Sequence, residues 1–324
     1  MWHKYPEIES ELFKVEECIK NSITSRNKLL SHITSDVILS GGKRLRPAIL
    51  ILASKFGNYD SEKTIPAAGA LEILHTATLI HDDIIDRAQL RRGKVTVSEK
   101  YGMDMAVYTG DFLLTKAVLM LSKSIPGDKL EIAARAVKNI CEGEVDQFQD
   151  RFNVDISILS YIKRIGRKTA ILFAAACAMG AYISGCSDEI TRILAKFGMS
   201  YGIAFQIRDD INDFFSNEKK SGKPVGSDIS KGIITIPIIY ALKDITFNKK
   251  LLKLLESDNN ITQNEVLELA EYIRDCGAEN ASWKLLRKYV DRGLGLLSKL
   301  PDIEARSILE ELIKQLDNNY IKDE

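Results

Sequence analysis

Between Glu9 and Ile38 the apolar residues Leu12, Val15, Ile19, Ile23, Leu29, Leu30, Ile33 and Val37 recur at the spacing of one helical face. Gly41 and Gly42 break this pattern, and Pro47 suits the first turn of a helix over Ala48 to Phe56. Residues Asn58 to Ser61 form a turn with capping side chains, and Pro66 is expected in the first turn of the helix that follows. That helix runs to about Asp86, roughly 27 residues or about 40 Å. It is apolar nearly all round, which places it at the centre of the fold. Val107 to Ser122 reads as another apolar helix, stopped by Pro126 and Gly127. Lys129 to Asp150 carries an acidic stripe of Glu142, Glu144 and Asp146 with Gln147, whose role the pattern leaves open. A long helix over Ser157 to Ile183 bears Lys163, Arg164, Arg167 and Lys168 before a small-residue stretch, Ala174 to Ala181, suited to close packing or a groove. One more long helix spans Ile190 to Phe215. Ser216 to Gly232 is a Gly/Lys/Ser-rich loop expected to move without ligand. Helix resumes at Ile233 to Ala241, with Pro237 near its start, and three or four amphipathic helices follow to about Asn318. No useful stretch alternates as a strand, and no linker or solenoid period interrupts the chain. The expectation is an all-α protein with residues 1–324 in a single domain.

Composition narrows the function. The 324 residues suffice for a large core, and 45% hydrophobic with 28% charged residues is ordinary for a soluble protein. Lys plus Arg and Asp plus Glu number 45 each, so no global field draws nucleic acid or anionic membrane. Cys18, Cys141, Cys177, Cys186 and Cys276 are scattered without a Cys-x-x-Cys pair, as expected of reduced thiols. The polar N-terminus lacks a signal-peptide core, and Ile171 to Ile183, the longest apolar run, is too short to span a bilayer. A cytoplasmic location is expected.

The chemistry concentrates in two carboxylate clusters. Asp82 and Asp86, spaced i, i+4 at the end of the central helix, share one face. Bare, they repel each other and load negative charge onto a helix C-terminus, where the dipole disfavours it. A cation offsets both penalties, and magnesium suits a site of one or two carboxylates completed by phosphate and water. The same pattern recurs at Asp209, Asp210 and Asp213, again behind an apolar run. A solvated acidic face explains one copy; two copies among Ile, Leu and Phe imply a multi-magnesium diphosphate site. Cations stand nearby in sequence. Gly41 and Gly42 precede Lys43, Arg44 and Arg46, an arrangement that favours anion binding, and Arg91 and Arg92 follow the first aspartates.

These motifs resemble the all-trans polyprenyl diphosphate synthase family over nearly the whole chain. The segments are GGKRLRP (41–47), HDDIIDRAQLRRG (81–93), KTA (168–170), FQIRDDINDF (205–214) and GKPVGSD (222–228), in family order and spacing. Residues 108–111 and the segment near Glu144 look most like the catalytic component of bacterial heptaprenyl diphosphate synthases. The resemblance implies long antiparallel helices around a deep cavity (the isoprenoid synthase fold), usually as a homodimer, with a small regulatory subunit as a further expected partner. It implies three magnesium ions held with diphosphate by Asp82, Asp86 and Asp209, with Asp83, Asp210 and Asp213 in support. It assigns the allylic diphosphate to Arg91, Lys168 and Lys223, and isopentenyl diphosphate to Lys43, Arg46, His75 and Arg92. Lys168, Thr169 and Gln206 would line the path of the allylic cation. In one departure, Gly232 is followed by Ile233 where the family commonly has lysine; Lys231 is the nearest cation, and allylic diphosphate affinity is what the change bears on.

Competing readings are a short-chain synthase, a class I terpene cyclase and a non-catalytic partner subunit. A cyclase does not need Lys43 and Arg46, and a partner subunit tends to lose an aspartate motif; this chain keeps all of them. In family members with short products, bulky aromatics commonly precede the first motif. Here Ala77 and Thr78 are small, so a tunnel past them toward Leu74, Ile73 and Ala70 is expected, with a product in the hexaprenyl to heptaprenyl range.

Overall fold

The computed structural model describes residues 1–38, 41–91, 93–125, 127–215, 226, 228–256 and 262–317. The periodicity over 9–38 resolves into two helices, α1 (Pro6–Ser22) and α2 (Lys28–Ile38). The break has a local cause: the Asn27 side chain accepts from Leu30 N at 3.1 Å and so starts α2 afresh. The chain continues through α3 (Leu45–Ser54) and α4 (Ser61–Ile85), the latter capped by Asp60, whose side chain accepts from Glu62 N. Pro66 lies in the second turn of α4 rather than the first. A two-strand hairpin, β1 (Leu90–Arg91) with β2 (Lys94–Val95), leads to α5 (Val97–Tyr101) and α6 (Met103–Ser124). Then come α7 (Leu130–Gln149), α8 (Ile158–Ile165), a π-helical turn over Gly166–Ala170, α9 (Ile171–Ile183) and α10 (Asp188–Phe215). The single long helix expected over 157–183 is thus two helices joined by the π turn. After a short 3₁₀ turn at Ile229–Lys231 come α11 (Ile236–Ala241), α12 (Ile245–Glu256), α13 (Gln263–Asp275), α14 (Ala278–Leu297) and α15 (Glu304–Lys314). The fold is all-α.

The chain divides into two compact units. The first comprises Met1–Ala134, Ala175–Ala195 and Pro301–Arg306; the second comprises Arg135–Ala174, Lys196–Leu300 and the residues from Ser307.

In the first unit α4 is the central helix, packed by α6, α1 and α3, as its all-round apolarity predicts. Helices α4 and α6 run antiparallel. Gly69 of α4 lies against Met120 of α6, while Gly110 of α6 lies against the His81 imidazole. With 22 residues, α6 is long and apolar enough by length and composition to cross a membrane, which no uninterrupted apolar run in the sequence suggested; a third of its apolar window is buried inside the protein. Arg44 ties three helices together. It is 9% exposed, pairs with Glu16 of α1 and with Glu72 of α4 (2.9 Å), and donates to Ile38 O at the end of α2 (3.0 Å). Burial pulls its pKa down, and the two carboxylates more than reverse that. Arg44→Ala leaves Glu72 buried without its cation. We expect a loss of about 3–5 kcal/mol of stability, read from denaturant unfolding.

In the second unit α11 packs on α14 and α13, and Phe247 of α12 stacks on Tyr272 of α13 at 4.9 Å. An aromatic group of Phe173, Tyr201 and Phe205 joins α9 to α10, with centroids 5.1 and 5.5 Å from Phe173. Both long helices that carry site residues, α4 and α10, are therefore held by packing along their length.

Candidate active site

The first aspartate cluster ends α4. Asp83 is 6% exposed, and Arg91 Nε donates to its carboxylate at 2.7 Å. Arg91 pairs with Lys94 in the hairpin, which places its backbone beside the end of α4. Asp82 and Asp86, on the neighbouring face, are half-buried. The helix closes with Arg87 in the left-handed region (φ 48°), Arg87 N bonding Ile84 O and Ala88 N bonding Asp83 O. Glycine usually occupies this position, and an arginine there stores about 1–2 kcal/mol of strain beside the carboxylates. His75 and Thr78 are half-buried along the face that leads to Asp82, whereas Ala77 is 1% exposed.

The basic loop of the first unit is smaller than the sequence suggests. Arg44 is spent on Glu16 and Glu72, so it is a structural cation and not a third anion ligand. Lys43 is exposed, its carbonyl accepting from Trp2 Nε1 at 2.7 Å, and Arg46 is half-buried in the first turn of α3.

The second cluster, in the second unit, repeats the arrangement of the first. Asp210 is 3% exposed; it accepts from Tyr161 Oη at 2.5 Å and from Gln206 Nε2 at 2.8 Å. Asp209 is exposed and Asp213 half-buried. Burial first, and then the charge of Asp228, push the Asp210 carboxyl well above the usual carboxylate range, although its two hydrogen bonds pull the other way. Burial first, and then the Asp210 charge, raise the Tyr161 phenol likewise. Neither Asp228 nor Tyr161 was assigned from sequence. Asp228 closes the GKPVGSD segment and donates its N–H to Asp213 Oδ2 at 3.3 Å. Its place at the end of a Gly/Lys-rich loop was a usable signal. Tyr161, 49 positions from Asp210, gave none.

Carboxylates crowded at low dielectric are the electrostatic mark of a place that gains from a cation. Among the described residues no three His, Cys, Asp or Glu side chains converge on one point as a complete cage. Magnesium at phosphate sites takes one or two carboxylates together with phosphate oxygens and water, so the donors present suit it.

The π turn supplies the remaining groups. Thr169 Oγ1 donates to Gln206 Oε1 at 2.8 Å, and Lys168 Nζ lies 2.8 Å from Glu144 Oε1. The amide of Gln206 is therefore fixed at both ends, accepting from Thr169 and donating to Asp210. Thr169, Gln206 and Asp210 are joined by hydrogen bonds in this unit, and Lys168 adjoins Thr169 in the π turn. Arg92 and Lys223 lie outside the described residues. At the departure from the family pattern, Ile233 is 8% exposed, while Lys231 is half-buried in the 3₁₀ turn before Gly232.

The chain resembles known proteins over most of its length. The polyprenyl synthetase family profile matches residues 27–273. Heptaprenyl diphosphate synthase component 2 of Bacillus subtilis is 36% identical over 312 residues, covering 96% of this chain and 89% of that protein. The crystal structure of heptaprenyl diphosphate synthase from Staphylococcus aureus superposes with a TM-score of 0.91 at 38% identity, covering 96% and 98% of the two chains. A polyprenyl synthase from Caulobacter crescentus, complexed with calcium and isoprenyl diphosphate, gives 0.89 at 32% identity over 94% and 93%.

Proposed function

The chain belongs to the polyprenyl synthetase family and is a trans-prenyltransferase, and from that premise we propose that it lengthens an allylic diphosphate with isopentenyl diphosphate units to a heptaprenyl-range product. The observation that carries the site assignment is the shared division of labour in the two aspartate clusters. In each, the second aspartate is buried and locked, Asp83 by Arg91 and Asp210 by Tyr161 and Gln206. In each, the i, i+4 pair, Asp82 with Asp86 and Asp209 with Asp213, keeps more exposure. A locked carboxylate anchors the helix end, and the exposed pair meets the ligand.

The family's reaction uses a divalent metal. Asp82, Asp86 and Asp209 would hold magnesium, three ions in all with diphosphate, and Asp83, Asp210 and Asp213 would support them. Magnesium, when bound, supplies the positive charge that makes diphosphate a good leaving group. The protein's own groups do the rest. Lys168, with Arg91 and Lys223, holds the allylic diphosphate; Lys43, Arg46, His75 and Arg92 hold isopentenyl diphosphate. Thr169 points its hydroxyl hydrogen at Gln206 as a hydrogen-bond donor, which leaves its oxygen lone pairs to face developing positive charge on the allylic carbon. An apolar surround keeps water from capturing that carbon. As the C–O bond breaks, the isopentenyl double bond forms the new C–C bond, and the departing diphosphate takes the proton that is lost.

Two features bear on assembly. The exposed apolar face of α6, with Val107, Tyr108, Val118 and Leu119, supports pairing with a second copy of the chain. A relative named as component 2 supports a second component as a further partner.

The two substrates separate the assignments. Arg46→Ala or His75→Ala is expected to raise KM for isopentenyl diphosphate about tenfold or more with little change in the allylic KM, and Lys168→Ala to do the reverse or to slow ionisation. Steady-state kinetics with each substrate varied in turn checks this, and equal effects on both substrates overturn the residue-by-residue assignment.

A further inference from the structure

The acidic stripe of α7 has no place in the aspartate clusters. Glu142 faces Lys138 of its own helix, but Glu144 and Asp146 are each paired with a cation of the π turn. Glu144 Oε1 and Oε2 lie 2.8 and 3.0 Å from Lys168 Nζ. Asp146 Oδ2 lies 2.8 Å from Arg167 Nη1. Asp150 Oδ2, just past α7, is 3.4 Å from Arg164 Nη1, whose Nη2 donates to Ile234 O at 2.6 Å. Gly143 makes the approach close, since a Cβ there would sit 2.8 Å from Lys168 N and 3.1 Å from Arg167 Cβ. A π turn is rarer than the α-helical register it replaces, and its extra residue re-aims the side chains that follow. Glu144 touches the lysine of this turn through both carboxylate oxygens.

We propose that Glu144 is a positioning residue for prenyl transfer: it fixes the Lys168 ammonium so that the charge is already in place when the allylic diphosphate arrives. The proposal rests on the assignment of Lys168 to that diphosphate. An ammonium has three N–H donors, so a carboxylate and a phosphate oxygen are able to share it. Both partners are about three-quarters or more buried, which limits screening by solvent. The Asp146–Arg167 pair, equally short and one residue away, involves no group of the proposed reaction and so serves as an internal control for a purely structural clamp.

The test is a set of variants read through kcat and the KM of each substrate. Lys168→Ala is expected to cut kcat/KM for the allylic diphosphate by about 10²–10³-fold, as the loss of one preorganised donor does. Glu144→Ala should cut the same parameter about tenfold or more, within the range a misplaced group costs, while the isopentenyl KM stays within about twofold. The isosteric Glu144→Gln keeps an acceptor for the ammonium and should fall between Glu144→Ala and the parent. In the Lys168→Ala background, Glu144→Gln and Glu144→Ala should add less than about twofold, because the group through which they act is gone. Asp146→Asn should change neither KM by more than about twofold. The proposal is overturned if the Glu144 effect persists at full size without Lys168, or if Asp146→Asn matches it. If Lys168→Ala itself leaves the allylic parameters unchanged, the assignment of Lys168 fails first and the proposal falls with it.

Discussion

Alanine at Asp82 or at Asp209 is expected to lower turnover by about a thousandfold or more while the protein stays as stable as before. Each side chain belongs to the less buried pair of its cluster, so on the proposed metal assignment its removal takes away a ligand and relieves repulsion among neighbouring carboxylates. The locked aspartates behave differently. Asp210→Ala strips a buried phenol and the Gln206 amide of their acceptor, which costs about 1–3 kcal/mol for each group left unpaired. Asp83→Ala likewise removes the partner of Arg91. Turnover at saturating magnesium, set beside thermal unfolding without metal, separates the two classes. Near-normal turnover by Asp82→Ala at saturating magnesium contradicts the metal assignment.

Product length is the second large effect. The face of α4 that carries Asp82 and Asp86 continues toward the N-terminus through Thr78 and His75, all half-buried, whereas Ala77 is 1% exposed. Along the antiparallel partner α6, Leu113 and Ala117 are fully buried in the same core. A chain growing from the diphosphate site down α4 therefore meets Thr78 first, about 6 Å along the axis from Asp82. Thr78→Phe is expected to shift the products to shorter chains and leave the first condensation nearly intact. Ala77→Phe instead forces a ring into packed core and should cost about 1–3 kcal/mol. Mass analysis of the products of both variants, with their unfolding curves, checks both outcomes. An unchanged distribution in Thr78→Phe removes the tunnel from this face.

What the sequence made legible was chiefly local. Asp82 with Asp86 and Asp209 with Asp213 could be placed on helix faces because i, i+4 spacing within one helix needs no knowledge of the rest of the fold. The centrality of α4 followed from apolar residues on every side of it. The side-chain partnerships did not follow, because they join distant positions. Arg44 finds Glu16 and Glu72, each 28 positions away, and so a residue that looked like an anion ligand is a buried strut. Lys168 finds Glu144 across 24 positions, which gives the acidic stripe its partner. The π turn was equally hidden, since Gly166 to Ala170 fits a continuous helical pattern and only packing against Gly143 and α10 shows the extra residue. The break at 23–27 leaves no mark in the apolar spacing, which continues across it while the Asn27 side chain restarts the helix.

The most direct measurement is incorporation of isotopically labelled isopentenyl diphosphate by the purified protein, given an allylic diphosphate with and without magnesium, alone and with the proposed second component added. The account predicts magnesium-dependent incorporation, one diphosphate released per isoprene unit joined, and an all-trans series that ends in the heptaprenyl range. Diphosphate released from the allylic substrate alone with a cyclised hydrocarbon as product, or no incorporation in any arm, would contradict it.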